Sequence, residues 1–543
     1  MTDIKDIWMV SREMEGIAGA GGVKDVTRQL LAAIAGQGIA ATVVLPHYPV
    51  MYRQNPLLKD IVEETGISFS VPLDSRDEAH SAPVTILQIR SDINGAPVTV
   101  YLVDAPCFAT KEGIYTYTQA EAARLGTKAG HGYDDFFDMN MTLQKSTLEL
   151  IKAVGARPDL IHCQDAHTAF IPALQRFVPR YRDYFRGIGS GITIHNAGPG
   201  YHQEIHDLEL VRAKTELPEK VVRQGVHRNA VYPFIVGGLY AGFINTVSEN
   251  YAHEILEAPA GDNESVGIGA AFRKRGIRLT GVTNGIDPAD FDPTNPEAMN
   301  IAGAFDPLVG DMAGKAICRQ ALLEEINTRQ NGHVKIAGSL ADGPGRVLIT
   351  TISRLTAQKG VDRFIGAMHE MLDEGVIEGR LDPGVMFLIL GAGDPVYQDQ
   401  LIAMAQDERY AGQVAVAVGY GPRLANRIYA GGDFFVNPAA FEPCGLTDYM
   451  AQLMGTVPVV HLVGGLVKVE DGITGYGYEE HTSQALAAAL WRAIDVFRNQ
   501  PKEHQHIIEQ AIRTIYERYT WDQVLQQGYM PLYEAAMREA AAE

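Results

Sequence analysis

Cysteine is scarce in this chain, and its placement serves no obvious ligation. Cys107, Cys163, Cys318 and Cys444 are the four present, and none falls in a CxxC or other metal-ligand spacing. A disulfide scaffold is thereby excluded, and a reducing, cytoplasmic setting is expected. Long apolar runs are missing too: no stretch approaches the ~20 uninterrupted apolar residues that a membrane helix needs. The opening segment MTDIKDIWMVSREMEG carries acids early and has the pattern of neither a secretory signal nor a transit peptide. An excess of positive charge is also lacking. With 66 acidic against 46 basic residues, the formal charge is −20. Such a surface disfavours nucleic acid and anionic membrane as partners, yet leaves room for a local basic pocket.

What is present is ample apolar material, 46% of 543 residues, for more than one core. Single cores stop growing at roughly 250–300 residues, so two domains are expected. Short β-rich runs alternate with longer helical patterns. IWMVS, ATVVLP, PVTVYLVD, DLIHCQD, GITIHN and FINTVS lie in the first half; RLTGVTN, RVLITTIS, VMFLILG, VAVAVG, DFFVNP and VPVVHLVGG recur in the second. Many are continuously apolar, which suits parallel strands covered by helices on both faces. In DVTRQLLAAIAGQG, Leu30, Leu31 and Ile34 can share one helix face. The expected fold class is therefore α/β, with two Rossmann-like doubly wound domains facing a cleft. The first domain is expected over residues 1–265, with 520–543 packing back on it as a helix, and the second over 266–519. Residues 53–83 read as a surface excursion or small hairpin, and the stretch EAPAGDNESVGIGAAFRKRGIR as loop-rich without a clear strand.

In open parallel sheets ligands gather at the carboxyl ends of strands, so chemistry is sought there. Gly19, Gly21 and Gly22 follow IWMVS and open a helix whose N–H groups could meet a phosphate, although most such turns are only turns. His195 and Asn196 end GITIHN and can hydrogen-bond sugar hydroxyls; a lone histidine there is more often a satisfied core residue. Asp165 and His167, just after DLIHCQ, could line an acceptor groove or cap the next helix. Arg354 and Lys359 follow the strand VLITTIS at a helix start, where the helix dipole disfavours cations, so their placement asks for an anion. Two cations there could neutralise a pyrophosphate leaving group. Glu442, in FEPCGLT, stands beside a predicted helix start at Gly445, Leu446 and Thr447. A carboxylate beside an anion site calls for a second requirement, such as a developing oxocarbenium ion or a sugar hydroxyl.

Taken in order, GAGGVKDV, HCQDAHTA, TIHN, NTVSENYAHEI, GVTNGIDPADFDP, ISRLTAQKG, GAGDP, FEPCGLT and VGGL with DGITGYGY resemble one family from about residue 7 to about 480. This set is similar to bacterial glycogen synthase and plant starch synthase, retaining glycosyltransferases of the GT-B fold. The resemblance implies transfer of glucose from ADP-glucose or UDP-glucose, the nucleotide-sugar donor, to the non-reducing end of an α-1,4-glucan acceptor. It implies that Arg354 and Lys359 bind the diphosphate, that Glu442 sits next to the transferred glucose and that His195 contacts that sugar. Gly21, Gly22, Asn196, Gly445, Leu446 and Thr447 would hold the donor, with Cys444 near the sugar but not a nucleophile. Asp165 and His167 would face the acceptor. No cofactor and no metal are implied, since nothing resembles a DxD clamp at a strand end. One departure stands out: the family's first Gly-rich loop reads Lys-x-Gly-Gly, and the matching position here is Gly19, with Lys24 in the same turn as a partial substitute. A different small acceptor, or a non-catalytic paralogue that binds glucan or nucleotide, are the competing readings.

Overall fold

The computed structural model describes residues 4–542 apart from 78–79, 94, 330–333, 375, 378–379 and 382–383. The ends of the expected domain ranges, residues 1–3 and 543, therefore lie outside the described residues, as do 78–79 within the stretch read as an excursion. The chain divides into two compact units, Met1–Gly285 with Trp521–Glu543, and Ile286–Thr520.

The first unit is built on a nine-stranded sheet. Its strands are β1 (Asp6–Val10), β2 (Ala40–Pro46), β3 (Glu63–Pro72), β4 (Ser81–Ile93), β5 (Ala96–Asp104), β6 (Leu160–Gln164), β7 (Gly189–Ile194), β8 (Phe243–Thr246) and β9 (Leu279–Gly281). They lie in the order β9-β8-β7-β6-β1-β2-β5-β4-β3. From β9 to β5 every neighbouring pair is parallel, whereas β4 and β3 run antiparallel at the edge. Residues on both faces of β6 and β7 are buried, which is why those runs are apolar throughout. The helix Val23–Gly36 buries Leu30, Leu31 and Ile34 against this sheet.

Three readings of the sequence are corrected here. Of the two alternatives for residues 53–83 the hairpin holds and the surface excursion does not: β3 and the start of β4 pair antiparallel and extend the main sheet. Their exposed outer positions gave β3 an alternating, polar-rich sequence that hid a long strand. The stretch read as loop-rich holds a helix, Ile268–Arg275, closed by Gly276 in the left-handed region. RLTGVTN, grouped with the second half, supplies β9 of the first sheet through Leu279–Gly281 paired to β8. The first unit accordingly runs on to Gly285 and not to 265.

The second unit carries a seven-stranded sheet. Its strands are β10 (Val334–Leu340), β11 (Val347–Ile352), β12 (Val385–Gly391), β13 (Gln413–Gly419), β14 (Phe434–Asn437), β15 (Val457–His461) and β16 (Tyr476–Tyr478). The order is β10-β13-β12-β11-β14-β15-β16, parallel except for β10. Along β12, Val385, Phe387 and Ile389 enter one core cluster while Met386, Leu388 and Leu390 enter the other. Both faces are covered, so the alternation of the pleat leaves no trace in the hydropathy. No helix among the described residues is long and apolar enough to cross a membrane.

The chain returns to the first unit at Trp521, whose indole N–H donates to Gln29 Oε1 at 2.6 Å. The final helix, Met530–Ala542, packs on β7. Tyr533 and the buried His162 are hydrogen-bonded at 3.0 Å, and Ala536 sits against two glycines at the amino ends of β7 and β8. A Cβ on Gly242 would lie 2.6 Å from both Cα and Cβ of Ala536. Overpacking of this kind costs ~1–3 kcal/mol. Gly242→Val is therefore expected to lower the melting temperature and to make the segment after Trp521 more sensitive to limited proteolysis. A variant that melts and cleaves like the parent would show that this helix does not depend on the close approach.

Candidate functional site

In the first unit the carboxyl ends of β1, β6 and β7 bring one polar cluster together. After β1 the chain turns through Met14–Ala18 and reaches the helix at Val23. Glu13, 1% exposed, turns back into this loop. Its Oε2 accepts the N–H of Ala20 at 2.5 Å and of Gly21 at 2.9 Å, and its Oε1 accepts the Tyr115 hydroxyl at 3.0 Å. The Gly21 amide, expected to meet a donor phosphate, is thus engaged by a buried carboxylate, because an acid three residues beyond the strand finds the loop's N–H groups first. Gly22 remains exposed at the helix start. Gly19 makes a reciprocal pair with Gln54: its N–H donates to Oε1 and its carbonyl accepts from Nε2, each at 3.0 Å. The stem of Lys24 lies over Gly19, so a Cβ there would be 2.3 Å from Lys24 Cδ. The Lys24 ammonium is paired with Asp25 at 2.5 Å, and burial pushes the Asp25 carboxyl up to about 6.

Asp165, at φ +60, caps β6. Its Oδ1 accepts the His195 backbone N–H at 2.8 Å, which locks the ends of β6 and β7 together. Burial is the main reason its carboxyl rises to about 7; the amides of His195 and Asn196 oppose the rise, and the nearby Glu13 adds to it. His195 Nε2 meets Gln164 Oε1 at 2.7 Å, and burial holds its imidazole down at about 3, hence neutral. The side-chain oxygen of Asn196 turns back to accept the Gly198 N–H at 2.7 Å. His167, also kept neutral by burial, leans on the Tyr115 ring at 5.1 Å. Arg12 braces the cluster from behind. It donates to the Tyr48 hydroxyl at 2.9 Å and to the Ile114 carbonyl at 2.5 Å, and lies 5.3 Å over Tyr115. Arg12, Glu13 and Tyr115 are residues the sequence did not single out. Two charges immediately after an apolar strand were the available signal for the first two.

In the second unit the ends of β11, β14 and β15 carry the other candidates. The Ser353–Gly360 loop is anchored to the next strand by Leu355, whose N–H donates to Ala392 and whose carbonyl accepts from Asp394. Gly360, at φ +66, presses so close to Pro438 that a Cβ would lie 1.9 Å from its carbonyl oxygen. Two hydrogen bonds then fasten this loop to the Glu442 loop: Ala440 N–H to the Gln358 carbonyl at 2.9 Å, and Gln358 Nε2 to the Phe441 carbonyl at 3.2 Å. The result is an ion pair between the Lys359 ammonium and Glu442 Oε2, with only 18% and 10% of the two side chains exposed. Arg354 stands exposed nearby in sequence, its guanidinium without a partner among the described residues.

Beyond Glu442 the chain passes through buried Cys444 and through Gly445 at φ +74, where a Cβ would meet Leu466 Cδ2 at 2.7 Å. Leu446 caps a short helix that Thr447 opens. Lys468, 9% exposed, holds this loop from beneath. Its ammonium donates to the carbonyls of Cys444 at 2.6 Å, Gly445 at 2.8 Å and Gly465 at 3.1 Å, and pairs with Asp448 at 3.0 Å. Burial alone would lower its pKa, but the Asp448 carboxylate, with Cys444 and Glu442, outweighs that and raises it above the usual lysine value. Glu442 is fixed the same way: its carbonyl accepts from Gly465, and Gly464 passes so near that a Cβ would lie 1.9 Å from it. Lys468 and Asp448 escaped notice because buried charges look like surface charges in a sequence.

Two family models match the chain. The starch synthase catalytic domain covers residues 6–267, and the glycosyl transferases group 1 model covers 346–495. A glycogen synthase of Vibrio cholerae is 28% identical over 540 residues, 98% of this chain and 99% of that one. A glycogen synthase of Lacticaseibacillus casei is 29% identical over 504 residues, 91% and 92% of the two chains. The chain belongs to the glycogen and starch synthase family. Its fold agrees: the catalytic domain of starch synthase IV from Arabidopsis thaliana, solved with ADP and acarbose, superposes with a TM-score of 0.79 at 22% identity, covering 99% of this chain and 100% of that one. Within this family member, Lys359 and Glu442 share one loop junction, and Asp165, His167, His195 and Asn196 share one cluster in the other unit.

The raised carboxyl of Asp165 has a consequence for stability. In the unfolded chain it loses its proton near 3.8, whereas in the native protein it keeps it up to about 7. Its contribution is therefore full below the lower value and is lost as pH rises toward the upper one. Asp165→Asn is expected to abolish that loss, gaining a few kcal/mol over the parent at neutral pH and nothing in acid. Urea unfolding across this pH interval checks it, and a difference that does not change with pH would refute the burial argument.

Proposed function

We propose that this chain transfers glucose from ADP-glucose or UDP-glucose to the non-reducing end of an α-1,4-glucan, with retention at the anomeric carbon. The observation that carries the reading is the junction of the Ser353–Gly360 and Glu442–Thr447 loops. There one lysine is held by one carboxylate, beside a glycine turn that only a left-handed backbone can make. Expelling a nucleotide diphosphate is the hard step, and cations aimed at the departing oxygens lower its barrier. Arg354 and Lys359 take that role, and Gly445, Leu446 and Thr447 bring backbone and hydroxyl donors to the same phosphates. Glu442 orients Lys359 and lies beside the transferred glucose, with Cys444 near it as a non-nucleophile.

In the first unit, His195 is neutral and so offers a hydrogen bond to the sugar without adding charge; Asn196 and Gly22 complete the donor contacts. Asp165 and His167 serve the acceptor. Gly19 takes no part beyond its backbone, and Lys24 is the cation of that loop. The relatives named glycogen synthase, and the starch synthase solved with ADP and acarbose, support the donor and acceptor classes.

The deciding experiment incubates the protein with each nucleotide sugar and measures nucleotide diphosphate release. Release that requires glycogen supports the proposal. Release with a small sugar alone would replace the acceptor, and binding without release under any condition would make the chain a non-catalytic binder. Glu442→Ala is expected to lower turnover by ~10²–10³-fold, the range found when an electrostatic contact to a developing charge is removed, with an unchanged circular dichroism spectrum. Near-normal turnover would move the reaction elsewhere. Arg354→Ala should raise KM for the donor and lower kcat together, because both the bound and the departing diphosphate lose a cation; unaltered constants would contradict its role.

A further inference from the structure

At the edge of the first sheet opposite Asp165 and His195, the amino ends of β7 and β8 border a cavity of about 250 Å³. Three arginines, Arg176, Arg182 and Arg186, line it, with Glu539 as the acid in its wall. In a chain of formal charge −20 this is a local reversal of sign. Arg176 lies 5.7 Å over the Tyr240 ring, which Phe177 supports edge-on at 4.7 Å. Arg182 and Arg186 lean on a single carboxylate, Asp183, at 3.2 Å and 3.9 Å, and their side chains remain 55% and 70% exposed. One acid shared between two guanidiniums leaves positive charge to spare.

A second, independent feature lies within the wall. Gln175 is 6% exposed, and its Nε2 is enclosed without a hydrogen-bond partner among the described residues. A buried donor lacking an acceptor is a standing cost that a ligand oxygen would remove, after a turn of the terminal amide toward the cavity. Guanidinium forks match phosphate oxygens two at a time. The volume falls below the ~300–1,000 Å³ typical of drug-sized ligands, which is too small for a nucleotide sugar and suits a phosphate with one small ring.

We propose that the cavity bounded by Gln175, Arg176, Arg182, Arg186 and Tyr240 binds a small phosphate-bearing molecule no larger than a sugar phosphate. The site is separate from the transfer chemistry and does not rest on it. Because Ala536, Glu539 and Ala540 of the last helix form part of the wall, an occupant also fastens that helix to the sheet.

Hydrogen–deuterium exchange of the whole protein with inorganic phosphate, and separately with a hexose phosphate, tests this at constant ionic strength in chloride. Slower exchange in residues 172–190 and 536–540 is expected with either probe. Equal protection by both assigns recognition to the phosphate alone, and stronger protection by the hexose phosphate adds the ring. Calorimetry should show binding weakened at least ~10-fold in the Arg182→Ala, Arg186→Ala double variant, whose changes are on the surface, and unaffected in Arg354→Ala. Protection confined to residues 354–360 and 441–447, no protection at all, or a double variant that binds like the parent would each overturn the proposal.

Discussion

A buried ammonium that must find acceptors is the constraint around which the second unit's site is arranged. Lys468 cannot be left without partners in a closed interior, since an unpaired charge there costs several kcal/mol. It meets three carbonyls and one carboxylate, and two of those carbonyls, Cys444 and Gly445, belong to the loop that follows Glu442. The loop is thereby fixed from below. Glycines at 360, 464 and 465 let the backbone segments around 360, 438–445 and 464–465 approach closely, and Gly445 leaves room for the Leu466 side chain. Glu442 inherits its position from that packing and in turn holds Lys359. An electrostatic site of this kind is preorganised by the groups packed behind it.

The first unit solves a different problem with the opposite charge. Glu13 and Asp165 are acids buried at strand ends, and each accepts backbone N–H groups: Ala20 and Gly21 for one, which also takes the Tyr115 hydroxyl, and His195 for the other. These bonds tie the glycine loop and the ends of β6 and β7 into one rigid cluster. His195 and His167 are kept neutral by the same burial that lifts Asp165. Polar side chains without charge suit hydroxyl-rich ligands, because they discriminate by hydrogen bonding and carry no penalty for stripping water from an ion.

Much of this was legible beforehand. Runs such as VMFLILG and LIHCQ are apolar on both faces because helices cover both sides of a parallel strand, so their type and class could be read directly. The pairing of TAQKG with FEPCGLT as parts of one family pattern was equally plain, since glycine, proline and charge at strand ends leave a dense signature. Where reading failed, a local signal had been outvoted by distant partners. β3 looked like a polar loop because one of its faces is solvent, and β9 looked like the start of the second half because three residues cannot announce which sheet they will join.

The sequence alone determined the α/β class, the presence of two units, the family, and the residue types that stand at the strand ends, because periodicity and short motifs are local properties of the chain. The tertiary structure decided which charges are buried and whom they meet: Lys468 under the Glu442 loop, Glu13 in the glycine turn, Lys24 over Gly19, and the last helix against Gly189 and Gly242. Those outcomes depend on groups far apart in sequence competing for the same few donors and acceptors, and only a folded chain settles that competition.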